Sequence, residues 1–333
     1  MLMRMAPLVS PVLALAVLVA AWGTVPSTPW LIACGVGLMA AVLASVHHAE
    51  VVAHKVGEPL GTLVLALAVT VIEVALIVTM MLAGGDKAAA VARDTVYAAI
   101  MVIGTGVVGL CLLVGGWRHR EQTFRAEGAN AGWAALMALA GLTLVLPTYT
   151  TTTAGGTYSN SQLAFAGLAS LALWLAYVFV QTVRHRDYFL PVGAAHDDEA
   201  HAHPPSTGQT IASLGLLVVA LVAVIGVVIA LLVLLPETLA AIRAAHANRL
   251  QTSLNLAIGS AMASIGLSIP VVAAVSVWLG LPLQLGIEGK DLVLLVLAFG
   301  VGTLTMTHGR TTIMQGAVHL VVFAAYLFLT LVP

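Results

Sequence analysis

The chain has 333 residues, 60% of them apolar and 8% charged, with a formal net charge of −1 and a mean hydropathy of +1.05. Soluble domains carry about 25% charged residues, so these values exclude a water-soluble fold and predict an all-α polytopic membrane protein. With no basic patch, nucleic acid is not an expected partner; the lipid bilayer is.

A spanning helix needs roughly 20 mostly apolar residues. The first such run, 6–24, follows Arg4 and has the outline of a signal peptide, but the many spans after it mark it as a retained first helix. Further runs lie at 30–49, 57–83, 94–116, 131–148 and 161–183. A hydrophilic linker, RHRDYFLPVGAAHDDEAHAHPPSTG, fills 184–208. Beyond it, 209–247 is apolar but broken by Pro236-Glu237, and clear runs return at 250–279, 290–308 and 313–332. Cys34 and Cys111 both fall in apolar runs and read as small core residues, not a disulfide.

Lys and Arg set the orientation. Arg4, Lys55, the cluster Arg118/Arg120/Arg125 and the pair Arg184/Arg186 mark alternate loops, which places the N-terminus and the linker in the cytoplasm. The opposite loops 24–29 and 149–160 are uncharged; Lys87 and Arg93 break the pattern but are offset by Asp86 and Asp94. Two crossings within 209–247, with a tight turn near Gly226, keep Arg243, Arg249 and Arg310 cytoplasmic, whereas one crossing would export all three. Eleven crossings follow.

One residue in these spans stands out. Glu73 lies near the centre of GEPLGTLVLALAVTVIEVALIVTMML, with no Lys or Arg inside the stretch. A charge at that depth costs about 2.5–3.5 kcal/mol on insertion scales, so an intramembrane acid implies function. Its structural alternative is a protonated carboxyl hydrogen-bonded to a neighbouring helix.

The chain also repeats itself. Glu73-Val-Ala-Leu-Ile, a charged turn and MVIGTGVVGLCLLV are echoed by Pro236-Glu237-Thr-Leu, a basic turn and NLAIGSAMASIGLSIPVV. Each copy puts an acid in one helix and a stripe of small residues in the next, where backbones can approach closely. The expected organisation is an extra helix at 1–28, a first five-helix repeat at 29–183, the linker at 184–208, and a second five-helix repeat at 209–333, shortened between 209 and 236. Five crossings per copy invert the second relative to the first. Inverted repeats with polar groups at mid-depth point to a secondary transporter.

GEPLGTLVLALAVTVIEVALI, PETLAAIRAAHANRLQTSLNLAIGSAMASIGLSIPVV and HGRTTIMQGAVHLVVFAAYL resemble the bacterial ChaA-type calcium/proton antiporters of the cation/calcium exchanger (CaCA) superfamily, with CAX-like features. The resemblance spans nearly the whole chain. It implies a bacterial inner-membrane antiporter whose two repeats each supply a central acid, here Glu73 and Glu237, to a shared cation site. It also implies an acidic cytoplasmic connector, His196-Asp197-Asp198-Glu199. Thr70 and Leu234 stand where the eukaryotic-type repeats carry Asn, and the stretch before Glu237 is short.

Calcium takes six to eight oxygens at about 2.3–2.6 Å. Glu73, Glu237, Thr70, Asn255, Ser260 and carbonyls freed near Pro236 are the candidate donors. Two ionised carboxylates in a dry site repel one another, so the site holds either Ca²⁺ or protons, and that exclusivity is antiport. Ca²⁺ is then a transported substrate and no cofactor is implied; Na⁺ or K⁺ in exchange for H⁺ on the same scaffold is the alternative. Glu58, in Gly57-Glu58-Pro59, reads either as an acid at a helix start or as part of the cytoplasmic access path, to which Thr105 and His319 are also candidates. His319 reads equally as a core hydrogen-bonder.

The linker's acids and histidines read as a solvated connector, with a regulatory cation site as the alternative. His47, Glu50 and His54 share one helix face and support a rival of another class, an intramembrane metal-dependent hydrolase completed by His308 or His319. The absence of a His-Glu-x-x-His motif argues against it, and the chain reads as no enzyme. A homo-oligomer is compatible with the sequence.

Overall fold

A computed structural model describes residues 2–21, 28–57, 60–190, 207–224 and 235–332. Its helices in chain order are α1 (Leu2–Ala21), α2 (Thr28–Val56), α3 (Leu60–Gly84), α4 (Val91–His119), α5 (Ala126–Tyr149) and α6 (Asn160–Arg184). After the linker come α7 (Thr207–Val224), α8 (Leu235–His246), α9 (Leu250–Leu279), α10 (Gly289–Thr307) and α11 (Ile313–Leu331). Among the described residues, seven helices are long and apolar enough to cross a membrane: Ala66–Gly84 within α3, then α4, α5, α6, α9, α10 and α11. The predicted runs agree with these to within a few residues. The turn expected near Gly226 lies outside the described residues.

The chain divides into two compact units, and each draws on both halves of the sequence. The first combines Met1–Thr79 with Asp197–Pro236, the second Met80–His196 with Glu237–Pro333. In the first unit, α1, α2 and α7 pack on one another. The inner face of α2 carries Ala41, Ala44, Ser45, His48 and Val52, a helical spacing of small residues that lets neighbours close in.

The second unit is built around α9, whose first twenty residues are almost wholly buried. Pro270 sits inside this helix without ending it. Loss of one backbone bond there is tolerated because packed neighbours hold the helix on both sides. Helices α4, α5 and α6 pack on α9, and α10 and α11 pack on α4 and α5. Lipid-facing surfaces are apolar, as on α10 (Val293, Val296, Leu304) and α11 (Val321, Phe328, Leu331), all well exposed.

Helices α4, α5 and α6 each contain a π-helical turn, at Val102–Val107, Gly141–Val145 and Val180–Arg184. A π turn inserts one residue into the i→i+4 ladder, leaves a carbonyl to find another partner, and is common at functional sites. Two short strands, β1 (Glu121–Thr123) and β2 (Arg310–Thr312), pair antiparallel with Gln122 opposite Thr311. They join the loop after α4 to the loop before α11.

Candidate functional site

Two polar side chains of the first unit, Thr70 and Glu73, share the buried face of α3. Ala66, Val69, Thr70, Glu73, Leu76 and Ile77 recur at i, i+3, i+4 spacing and are all buried, while Val71 faces outward. Glu73 is only 7% exposed. Thr70, one turn before it on that face, donates its hydroxyl to the Ala66 carbonyl at 2.9 Å. That back-bond uses the hydroxyl proton, so any further bond of the threonine oxygen is as an acceptor.

The sequence candidates in the second unit lie on α4, α8, α9 and α11. Glu237 is the third residue of α8, directly after Pro236, which fits the first turn of a helix because its missing N–H would be unsatisfied there anyway. The Glu237 side chain and all of Glu58 lie outside the described residues. Thr105 is fully buried in the π turn of α4 and donates to the Met101 carbonyl. Ser260, on α9, is buried.

Asn255 is buried too, and it is already engaged. The backbone N–H of Arg125 donates to Gln251 Oε1 at 2.7 Å, Gln251 Nε2 donates to Asn255 Oδ1 at 2.9 Å, and Asn255 Nδ2 donates to the Phe189 carbonyl at 2.5 Å. A backbone donor at one end and a backbone acceptor at the other fix both amide orientations. Asn255 Oδ1 keeps one lone pair for another partner. This chain also holds the start of the linker: Arg186–Phe189 forms a short 3₁₀ turn, and Phe189 is buried edge-on to Tyr177.

His319, on α11, makes the most revealing contacts. It is fully buried, with Nδ1 3.0 Å from the Gly104 carbonyl and Nε2 3.1 Å from Thr305 Oγ1. A carbonyl only accepts, so Nδ1 carries the proton. With Nδ1 protonated, the neutral ring presents a lone pair at Nε2, and the single proton of the Thr305 hydroxyl is shared between that nitrogen and the Val301 carbonyl 2.9 Å away. Gly104 belongs to the π turn next to Thr105, so His319 satisfies a carbonyl within the glycine-rich stretch of α4. Close approach makes this possible: a Cβ on Gly109 would lie 2.8 Å from His319 Cβ.

Sequence reasoning did not single out Thr305, Gln251 or Gln122. Thr305 lies in the run Thr303-Leu-Thr305-Met-Thr307, and three alternating threonines in a span were the available signal. Gln122, buried on β1, donates to the Ala245 carbonyl and to Asn248 Oδ1, both at 2.9 Å. His119 Nε2 lies 2.9 Å from the His246 carbonyl. These bonds and the β ribbon place Arg118, Arg120, Arg125, Arg184, Arg186, Arg243, Arg249 and Arg310 at one end of the second unit, against only Glu121, Glu127 and Asp187. Among the described residues no three His, Cys, Asp or Glu side chains cluster as a metal site. His47 is exposed on α2, and the side chains of Glu50 and His54 lie outside the described residues.

The sequence profile of a family described as sodium/calcium exchanger protein matches residues 26–183 and 208–332. A protein of Sinorhizobium fredii named putative ionic transporter y4hA is 48% identical over 324 residues, covering 89% of this chain and 87% of its own. The sodium-potassium/proton antiporter ChaA of Escherichia coli K12 is 33% identical over 350 residues, covering 96% and 94%. Two solved structures share the fold. Native YfkE superposes with a TM-score of 0.66 at 18% identity, covering 97% of each chain. The H⁺/Ca²⁺ exchanger CAX superposes with a TM-score of 0.67 at 14% identity, covering 98% of this chain and 93% of its own. Relatives and fold neighbours alike are transporters, and the chain belongs to the sodium/calcium exchanger protein family.

Proposed function

We propose that the chain is a proton-coupled cation antiporter of the bacterial inner membrane, that Ca²⁺ is its cation, and that Glu73 and Glu237 carry cation and protons in turn. The observation that carries this reading is the buried Glu73 carboxylate on the same face of α3 as Thr70. An acid held at that depth in an apolar helix is costly unless a cation or a proton neutralises it. Two carboxylates match a divalent ion in charge, and Thr70, Ser260 and one lone pair of Asn255 add neutral oxygens of the kind Ca²⁺ accepts. With the cation gone, protons must replace it, so the two fluxes are coupled in opposite directions.

Glu237 enters as the counterpart of Glu73 in the second repeat. Alternating access moves helices around a site at mid-depth. The second unit supplies support for the topology: the chain leaves its arginine-rich end at Phe189 and is back at that end by Ala245. Two crossings between these points, and with them an exterior C-terminus, fit such a return. The arginine-rich end is then the cytoplasmic face.

A second reading, Na⁺ or K⁺ in exchange for H⁺, is favoured by the name of the Escherichia coli relative. Everted membrane vesicles with an imposed pH gradient separate the two. The calcium reading expects Ca²⁺ to dissipate the gradient at concentrations where Na⁺ and K⁺ do not. Dissipation by Na⁺ or K⁺ alone overturns the calcium assignment and leaves the antiporter reading standing.

A further inference from the structure

An open cleft of about 550 Å³ lies at the arginine-rich end of the second unit, lined by Leu113, Val114, Trp117, Arg118 and His246. We propose that this cleft binds one anionic phospholipid, its acyl chain against Leu113, Val114 and Trp117 and its phosphate against Arg118, with His246 beside it.

The two halves of the cleft have opposite chemistry. Leu113, Val114 and Trp117 follow one another on α4 at i, i+1 and i+4, forming a continuous apolar wall. Trp117 is 80% exposed, a large aromatic cost in water but the preferred residue where a helix leaves the hydrocarbon. The volume falls within the range of small-molecule sites. Arg118, the next residue, and His246, at the end of α8, mark the polar edge of the same cleft, and both are exposed. A soluble anion would have no use for the apolar wall, and a zwitterionic lipid, whose ammonium offsets its phosphate, gains less from the arginine than an anionic one. A phosphodiester with acyl chains uses both.

Charge complementarity selects the anionic headgroup. Helices α4 and α8 both end here, and helix C-termini repel anions. Attraction must therefore come from side chains, which makes Arg118 the decisive group. Arg243, one turn before His246 on α8, adds to the local field. A guanidinium is suited to phosphate because its fork presents paired N–H donors. Basic clefts at the cytoplasmic ends of spanning helices take lipid headgroups for this reason. The inference rests on the membrane reading of the chain but not on the exchange reading, and its test involves no transport.

The test uses the full chain in nanodiscs, with brominated-chain lipids as quenchers of tryptophan fluorescence. The Trp117 contribution is obtained by subtracting the signal of Trp117→Phe, which removes one of six tryptophans. Brominated phosphatidylglycerol should quench that contribution at about a fivefold lower mole fraction than brominated phosphatidylcholine, the preference expected of one arginine near a headgroup. Arg118→Gln should abolish the preference and Arg118→Lys should keep most of it. Both substitutions are at an exposed position and leave folding intact. Equal quenching by the two lipids in the native chain would overturn the proposal, showing ordinary boundary lipid. Absence of any Trp117 quenching would also overturn it, showing a cleft closed to lipid, as contact with a second copy of this chain would produce.

Discussion

His319 ties three helices with one ring. It donates to Gly104 on α4 and accepts from Thr305 on α10 while its own backbone belongs to α11. The two bonds are not equivalent. Loss of the Thr305 hydroxyl leaves Nε2 without its donor but keeps the ring in place, whereas loss of the ring strands the Gly104 carbonyl and opens a cavity beside Gly109. Thr305→Val should cost about 1 kcal/mol and His319→Ala about 3 kcal/mol, read as thermal unfolding of the detergent-solubilised protein. Equal losses would contradict this account of the tie. His319 was visible in the sequence as a histidine deep in an apolar run, but its role was not. The partner carbonyl lies 215 residues earlier and its availability depends on a π turn that no local pattern announces. Glu73 and Thr70 were easier to read, because a single helix brings residues three apart onto one face. Asn255 was legible as a polar residue in a span, but its contacts were not: Gln251 and Phe189, which bond it, come from a neighbouring turn and from the linker.

At the scale of elements, the pairing of α4 with α11 depends on backbone proximity. Gly109 sits against His319 and Leu320, with a Cβ placed 3.1 Å from the Leu320 backbone nitrogen. Backbone cannot step aside as a flexible side chain can, so Gly109→Ala should destabilise by about 1–3 kcal/mol. Gly300 on α10 provides the contrast, since a Cβ there meets nothing within 4 Å. Gly300→Ala should therefore change stability by no more than about 0.5 kcal/mol. A similar loss at both positions, in the same unfolding measurement, would show that the close approach at Gly109 does not set the cost. The amide chain through Asn255 makes a second prediction about an element. Asn255→Ala removes the donor that holds the Phe189 carbonyl, so chymotrypsin should cut after Tyr188 or Phe189 markedly faster in the variant. An unchanged rate would mean that burial of the Phe189 ring alone secures the turn. The helices themselves were legible because each is a long apolar run between charged or glycine-rich breaks. The β ribbon was not, since two strands of three residues, almost two hundred positions apart, leave no periodic trace.

For the whole molecule, composition alone established the membrane class, and the resemblance of three stretches to ChaA-type antiporters anticipated the family. What the linear reading did not convey is that each compact unit is assembled from both halves of the chain. Packing partners between distant segments are not encoded in hydropathy. The crossing number has a direct test. A cysteine at position 333, in a chain whose Cys34 and Cys111 are alanines, should react with a membrane-impermeant maleimide added outside intact cells. Reaction only in everted vesicles would mean ten crossings and would contradict the proposed inverted repeats. Function is tested most directly at Glu73. The carboxamide of Gln nearly matches a protonated carboxyl in shape and hydrogen bonding, but it can neither release a proton nor neutralise a cation. In proteoliposomes with matched protein content, proton-driven Ca²⁺ uptake should be present for the native chain and absent for Glu73→Gln. Glu237→Gln should match it, with the double variant no worse than either single, as for residues acting as one unit. Near-normal uptake by a folded Glu73→Gln protein would contradict the account and leave Glu73 as a buried structural acid.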